Sequence, residues 1–221
     1  MGGCFQKPVV EVEFKLNMPD EMIDHTFRIF IEGDHKTGKT TLLWRWTEGT
    51  FPTEAEINSI NFEKPDDEWE ESEFKKRIIK IEQKKKKTLY LKVFFKVGKL
   101  SRESSSLRTQ SFRNPYRGMD AVIVVCDTTN KQSLNWAKER MKDIKQYAKA
   151  DVVKALLINK IDQNPRKSSI TKSTEDVSST FTNEMAENNF RIYEASAQTG
   201  TNVEETLQAV LLDVIRAKQH I

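Results

Sequence analysis

An apolar run, Phe27-Arg28-Ile29-Phe30-Ile31-Glu32, leads straight into Gly33-Asp34-His35-Lys36-Thr37-Gly38-Lys39-Thr40, and a helical segment follows from Thr40 to Thr47. The central stretch fits the pattern GxxxxGK[ST], which has physical meaning only between a strand and a helix. The two glycines let the backbone wrap so that successive N–H groups point inward at phosphate oxygens. The N-terminus of the following helix adds positive potential at the same spot. Lys39 is placed to reach the outer phosphates, and the Thr40 hydroxyl to ligate magnesium. The candidate phosphate-site residues are therefore Asp34, His35, Lys36, Thr37, Gly38, Lys39, Thr40 and Thr41.

The remaining pattern extends this strand–loop–helix into a sheet. Leu42, Leu43 and Trp46 supply one apolar face of the first helix. Phe74 to Glu82 and Thr88 to Val97 alternate in polarity across the short joint Gln83-Lys84-Lys85-Lys86-Lys87, which predicts a hairpin. Ala121–Cys126 and Val152–Ile158 are nearly continuous apolar runs, as strands covered on both faces require. Leu134, Ala137, Met141, Ile144 and Ala148 recur at helical spacing, Glu175 to Asn188 is a weaker helix, and Phe190 to Glu194 a last strand. Val203, Leu207, Val210, Leu211, Val214 and Ile215 stripe a terminal helix. Strands alternating with helices predict an α/β fold with a mostly parallel sheet, ligands binding at the carboxyl ends of the strands. Ahead of this unit, residues 1–24 form an N-terminal extension in which Val9 to Leu16 reads either as an edge strand or as a loose arm.

Two further motifs follow strands. Asn159-Lys160-Ile161-Asp162 ends the Val152–Ile158 run. Asp162 can accept paired hydrogen bonds from the N1–H and 2-amino group of guanine, a donor pair that adenine lacks. Asn159 can brace the phosphate loop, and the Lys160 stem can lie over a base. After the last strand comes Glu194-Ala195-Ser196-Ala197-Gln198, where backbone N–H groups can meet the guanine O6. Each motif alone is ordinary strand-end chemistry. Together, in this order and downstream of the phosphate loop, they are specific.

With these motifs in place, residues 25 to 219 resemble the small Ras-like GTPases, and among them the Rab branch most. The resemblance also rests on Glu73-Phe74-Lys75-Lys76-Arg77, Tyr116-Arg117-Gly118-Met119-Asp120 and Val124-Val125-Cys126-Asp127. It implies a P-loop NTPase fold over 25–221: a six-stranded, mostly parallel sheet flanked by five helices, binding GTP or GDP with Mg2+. By position it makes Phe51 the aromatic residue on the guanine edge and puts Gln198 where the family usually has Lys.

The departures from this family gather around the γ-phosphate. The family's strand-end Asp-x-x-Gly-Gln is Phe95-Lys96-Val97-Gly98-Lys99. Phe95 replaces the Asp that holds magnesium through water, and Lys99 replaces the Gln that orients the attacking water. Lysine has only donors, so it cannot accept a hydrogen bond from that water. His35 and Lys36 stand where small residues leave room for the transition state. The stretch between Phe51 and Phe74 is longer than usual, and Ser59 is the best candidate for the residue sensing metal and γ-phosphate; Trp69 falls there if alignment is forced from Phe74. Even an intact Ras turns over at only about 10⁻⁴ per second unaided. Little hydrolysis is therefore expected, while nucleotide binding is retained. Two other readings stay open: a slow switch whose long loops supply unfamiliar catalytic groups, and a scaffold within a larger assembly that keeps the fold as a mounting.

Charge distribution points to partners. Ser72 to Arg117 carries fifteen Lys or Arg against Glu73, Glu82 and Glu103, while the preceding Glu54–Glu71 stretch is strongly acidic. Protein partners are expected at the long loops and basic hairpin, unless the acidic neighbour folds back on it. Nucleic acid is unlikely to bind, because no aromatic residues interleave with the lysine run. The start, Met1-Gly2-Gly3-Cys4, allows acylation at Gly2 and Cys4, although Gln6 stands where Ser or Thr is usual; an ordinary start with a reduced thiol is the alternative. The chain stops at Lys218-Gln219-His220-Ile221 without the prenylated cysteines of Rab tails. With 31% charged residues and 37% hydrophobic, the chain holds enough for one core but no run long enough to span a membrane. Only Cys4 and Cys126 are present, which fits a reducing cytoplasmic setting, free or at a membrane or assembly.

Overall fold

The computed structural model describes residues 18–59, 75–82, 88–98, 114–163 and 188–219. The possible strand at 9–16, Gly2 and Cys4, the lysine joint 83–87, Trp69, Lys99 and nearly all of the helix expected over 175–188 lie outside these residues.

Six strands form one sheet. In chain order they are β1 (His25–Gly33), β2 (Lys75–Glu82), β3 (Thr88–Val97), β4 (Ala121–Asp127), β5 (Val153–Asn159) and β6 (Phe190–Glu194), arranged β2-β3-β1-β4-β5-β6. Only β2 and β3 pair antiparallel, as a hairpin requires; every other neighbour is parallel. The described residues hold four α-helices: α1 (Lys39–Glu48), α2 (Glu54–Ser59), α3 (Lys131–Tyr147) and α4 (Val203–Gln219). The sheet and its parallel character are as the sequence pattern implied.

Each element follows from local chemistry. All seven residues of β4 are buried, which its unbroken apolar run anticipates. The helix α3 is capped by the Asn130 side chain, which accepts from the Gln132 N–H at 2.9 Å. The short α2 was not evident from periodicity; it starts with a reciprocal capping box. The Thr53 N–H donates to Glu56 at 2.7 Å, and the Glu56 N–H donates to the Thr53 hydroxyl at 3.3 Å.

Two apolar layers cover the sheet. One packs Leu42, Leu43 and Trp46 of α1 and Val203, Leu207, Val210, Leu211, Val214 and Ile215 of α4 against alternate residues of the strands. The other sets Ala137, Met141 and Ile144 of α3 against Val122, Val124, Leu156 and Ile158. The Trp46 indole N–H donates to Val203 O at 2.8 Å, tying the end of α1 to the start of α4. The organised fold also begins ahead of the boundary at residue 25. Asp24 donates its N–H to Tyr90 O at 2.9 Å and accepts from the Tyr90 N–H at 2.8 Å, and Lys92 pairs with Asp20 at 3.0 Å.

Candidate functional site

Three loops meet at the carboxyl ends of β1, β5 and β6. The first runs from Gly33 to Lys39. Both glycines of the pattern are sterically required: a Cβ at Gly33 would strike Val125 O, and one at Gly38, which has φ 96°, would strike the Asn159 amide. Lys36 takes φ 59°, a left-handed conformation that favours glycine, and it is exposed together with His35 on the loop. Thr37 is buried, and its hydroxyl donates to Asp34 O at 2.9 Å. The Asp34 carboxylate is buried and accepts the His35 N–H at 2.8 Å. Thr40 and Thr41 lie in the first turn of α1, partly buried.

The Lys39 ammonium folds back over this loop, donating to Gly33 O at 2.8 Å and Asp34 O at 2.7 Å. Burial lowers its pKa to about 8, although the Asp34 and Glu32 carboxyls act the other way. A phosphate entering the loop would offer this amine a charged acceptor in place of two carbonyls.

Asn159 is the node of the site. At 1% exposure it donates from Nδ2 to Thr37 O at 2.9 Å and accepts the Ala197 N–H at Oδ1, also at 2.9 Å. It thus braces the phosphate loop, as its position implied. Of the backbone N–H groups in the Glu194–Gln198 stretch, that of Ala197 is thereby given to Asn159. Buried backbone donors are nearly always paired, and the asparagine carbonyl is the acceptor this one reaches.

Asp162 lies in a single helical turn, Ile161–Gln163, where one carboxylate oxygen accepts the Ser196 hydroxyl. Lys160, with φ 65°, pairs with Asp127 at 2.7 Å. Burial raises the Asp127 pKa, but the Lys160 and Thr129 hydrogen bonds outweigh it and hold the carboxyl low. Phe51 is 48% exposed, with the Arg45 guanidinium 5.8 Å from its ring centre. Ser59 ends α2, away from the strand-borne loops in sequence.

Arg45 was not singled out by sequence reasoning. From α1 it donates to Ala197 O at 2.9 Å and Gln198 O at 2.7 Å while facing Phe51. It thereby fastens the last loop to the helix that follows the phosphate loop. A lone arginine on a helix carries no local signal of such a role.

Glu32, the residue before the loop, was equally hidden. It is 0% exposed and accepts the Tyr116 hydroxyl at 3.2 Å. Burial pushes its carboxyl up to about 8, against the opposing influence of Arg140 and the Tyr116 bond. An acid directly after the apolar residues Ile29, Phe30 and Ile31 was the available clue.

Among the described residues, β3 brings no side-chain oxygen ligand to the sheet face that α1 covers. The β3 side chains on that face are Leu89, Leu91, Val93, Phe95 and Val97, all buried, and Phe95 stacks on Trp46 with centroids 5.9 Å apart and an interplanar angle of 18°. Among the described residues no group of three His, Cys, Asp or Glu side chains could hold a metal ion.

Comparison with known proteins agrees with this architecture. The Ras family model matches residues 28–216. The chain is 30% identical to the Ras-related protein Rab-1 of Theileria annulata over 188 residues, 85% of this chain and 73% of that protein. It is 31% identical to the Theileria parva Rab-1 over 189 residues, 85% and 73% of the two chains. With the Ras-related protein Rab-13 of Mesocricetus auratus it shares 29% identity over 192 residues, 87% of this chain and 81% of that one.

Proposed function

Because the chain belongs to the Ras family and is Rab-like within it, we propose that it binds GTP and GDP and hydrolyses GTP weakly or not at all, acting as a nucleotide-holding platform for protein partners. The observation that carries the reading is the double hydrogen bond of Asn159, which joins the phosphate loop to the Ser196–Gln198 loop. This brace, with the Ser196–Asp162 bond, supports a reading in which the Gly33–Lys39 loop holds phosphates and Asp162 reads the base. Thr37, Gly38, Lys39 and Thr40 hold phosphates on this reading, and Asp162 with Ser196 reads guanine, with Phe51 at its edge.

Weak hydrolysis is supported by the same region. His35 and Lys36 stand exposed on the loop where the family's small residues leave room for a transition state, and Phe95 is packed in the core. The platform reading gives the chain a role that survives without turnover. No helix among the described residues is long and apolar enough to cross a membrane. On this reading acylation at Gly2 and Cys4, or a partner, brings the chain to a membrane.

A thermal shift with GTP, GDP and ATP tests occupancy. A guanine nucleotide at 100 times its dissociation constant stabilises by about 2.7 kcal/mol, and ATP at the same concentration does not. Equal shifts with ATP, or none with any nucleotide, refute the reading. Single-turnover phosphate release then tests the platform: release at or above about 10⁻⁴ per second returns the chain to the ordinary switches of its family.

A further inference from the structure

We infer that nucleotide binding at this site is independent of divalent cations, the phosphate charge being met by the side chains of the loop itself. The inference rests on the guanine-nucleotide reading and deepens it.

The argument starts from β3. Its side chains alternate faces, so Leu89, Leu91, Val93, Phe95 and Val97 are the ones on the α1 side of the sheet. All five are apolar, so a register shift of two residues in either direction still brings no side-chain oxygen to that face. The Phe95 ring is 1% exposed and stacks on Trp46, six residues along α1 from Thr40. Its stacking partner thus sits on a backbone position about 9 Å along the helix axis from that of Thr40. Magnesium keeps several waters, each seeking an acceptor, and a buried phenyl ring offers none. The nearby loop carboxylate, Asp34, is buried and already accepts the His35 N–H.

The loop offers cations instead. Lys39 sits over Gly33 O and Asp34 O, and Lys36 stands exposed in a left-handed turn of the same loop. The helix α1 adds the partial positive charge of its N-terminus. Glu32 below the loop does not offset these charges near neutral pH, because burial keeps its carboxyl largely protonated. With no ion bridging the outer phosphates, GDP and GTP should bind with similar affinity.

The test is a titration of the nucleotide-stripped full chain with GDP and with GTP, in millimolar magnesium chloride and in excess EDTA. The expected result is binding in both media with dissociation constants that differ by less than tenfold. A loss of tenfold or more in EDTA overturns the inference but leaves the function standing. Absence of binding in both media overturns the function itself, and the inference with it. A second arm uses Lys36→Gly, which suits the left-handed backbone while removing the ammonium. This variant should weaken binding in EDTA about tenfold, equivalent to about 1.4 kcal/mol, and Lys36→Arg should retain it. Undiminished binding by Lys36→Gly in EDTA overturns the assignment of phosphate charge to the loop.

Discussion

A carboxylic acid with 0% exposure sits directly before the phosphate loop, hydrogen-bonded to a tyrosine 84 residues away. Glu32 is neutral in the folded protein up to about pH 8, whereas in the unfolded chain it ionises in the ordinary carboxylate range. Between those limits the folded state binds the extra proton, so the Glu32 contribution to stability falls as pH rises and levels off above about 8. Glu32→Gln removes this cost while still accepting the Tyr116 hydroxyl. Denaturant unfolding should show the variant more stable by on the order of 3 kcal/mol near neutral pH, with the gap closing toward pH 5. A difference that is the same at both pH values would exclude ionisation as its cause. Cys126 illustrates the same physics: burial, and after it the Asp127 charge, push its thiol up to about 12, leaving it inert in the native fold.

At the level of elements, Arg77 links the outermost strand to two helices. From β2 it donates to Trp46 O near the end of α1 at 3.0 Å and pairs with Glu204 in the first turn of α4 at 2.9 Å. Its side chain is 1% exposed, that of Glu204 20%. Edge strands have one paired neighbour only, so a polar clamp to the helices limits the motion of β2. Arg77→Met keeps the apolar stem and loses both contacts. It should cost about 3 kcal/mol, and hydrogen exchange should quicken in β2 more than in β4. A uniform change across the sheet would show that Arg77 acts on global stability alone. The hairpin to which it belongs was legible, because alternating runs with a short polar joint have few other solutions. The clamp was not, because its partners lie 31 and 127 residues away.

Over the whole molecule, Asn159 serves as the junction of the three site loops, and its loss should be felt by stability and ligand together. Asn159→Ala leaves Thr37 O and the Ala197 N–H without their partner. It should lower stability by about 2 kcal/mol in denaturant and weaken guanine-nucleotide binding by more than tenfold. A variant that loses stability but binds normally would make the brace purely structural. By itself the sequence determined the strand–loop–helix around Gly33–Thr40, the six strands and their mostly parallel order, and the three loops that belong to one site. Those features are written in local periodicity, turn chemistry and motif spacing, each confined to a few neighbouring residues. Only the tertiary structure decided that Phe95 stacks on Trp46, that Glu32 is sealed against Tyr116, that Arg45 fastens a loop 152 residues downstream, and that Asn159 takes the Ala197 N–H. The reason is that such contacts depend on which strands become neighbours and what their packing excludes from water. Neither is a property of any local stretch of chain.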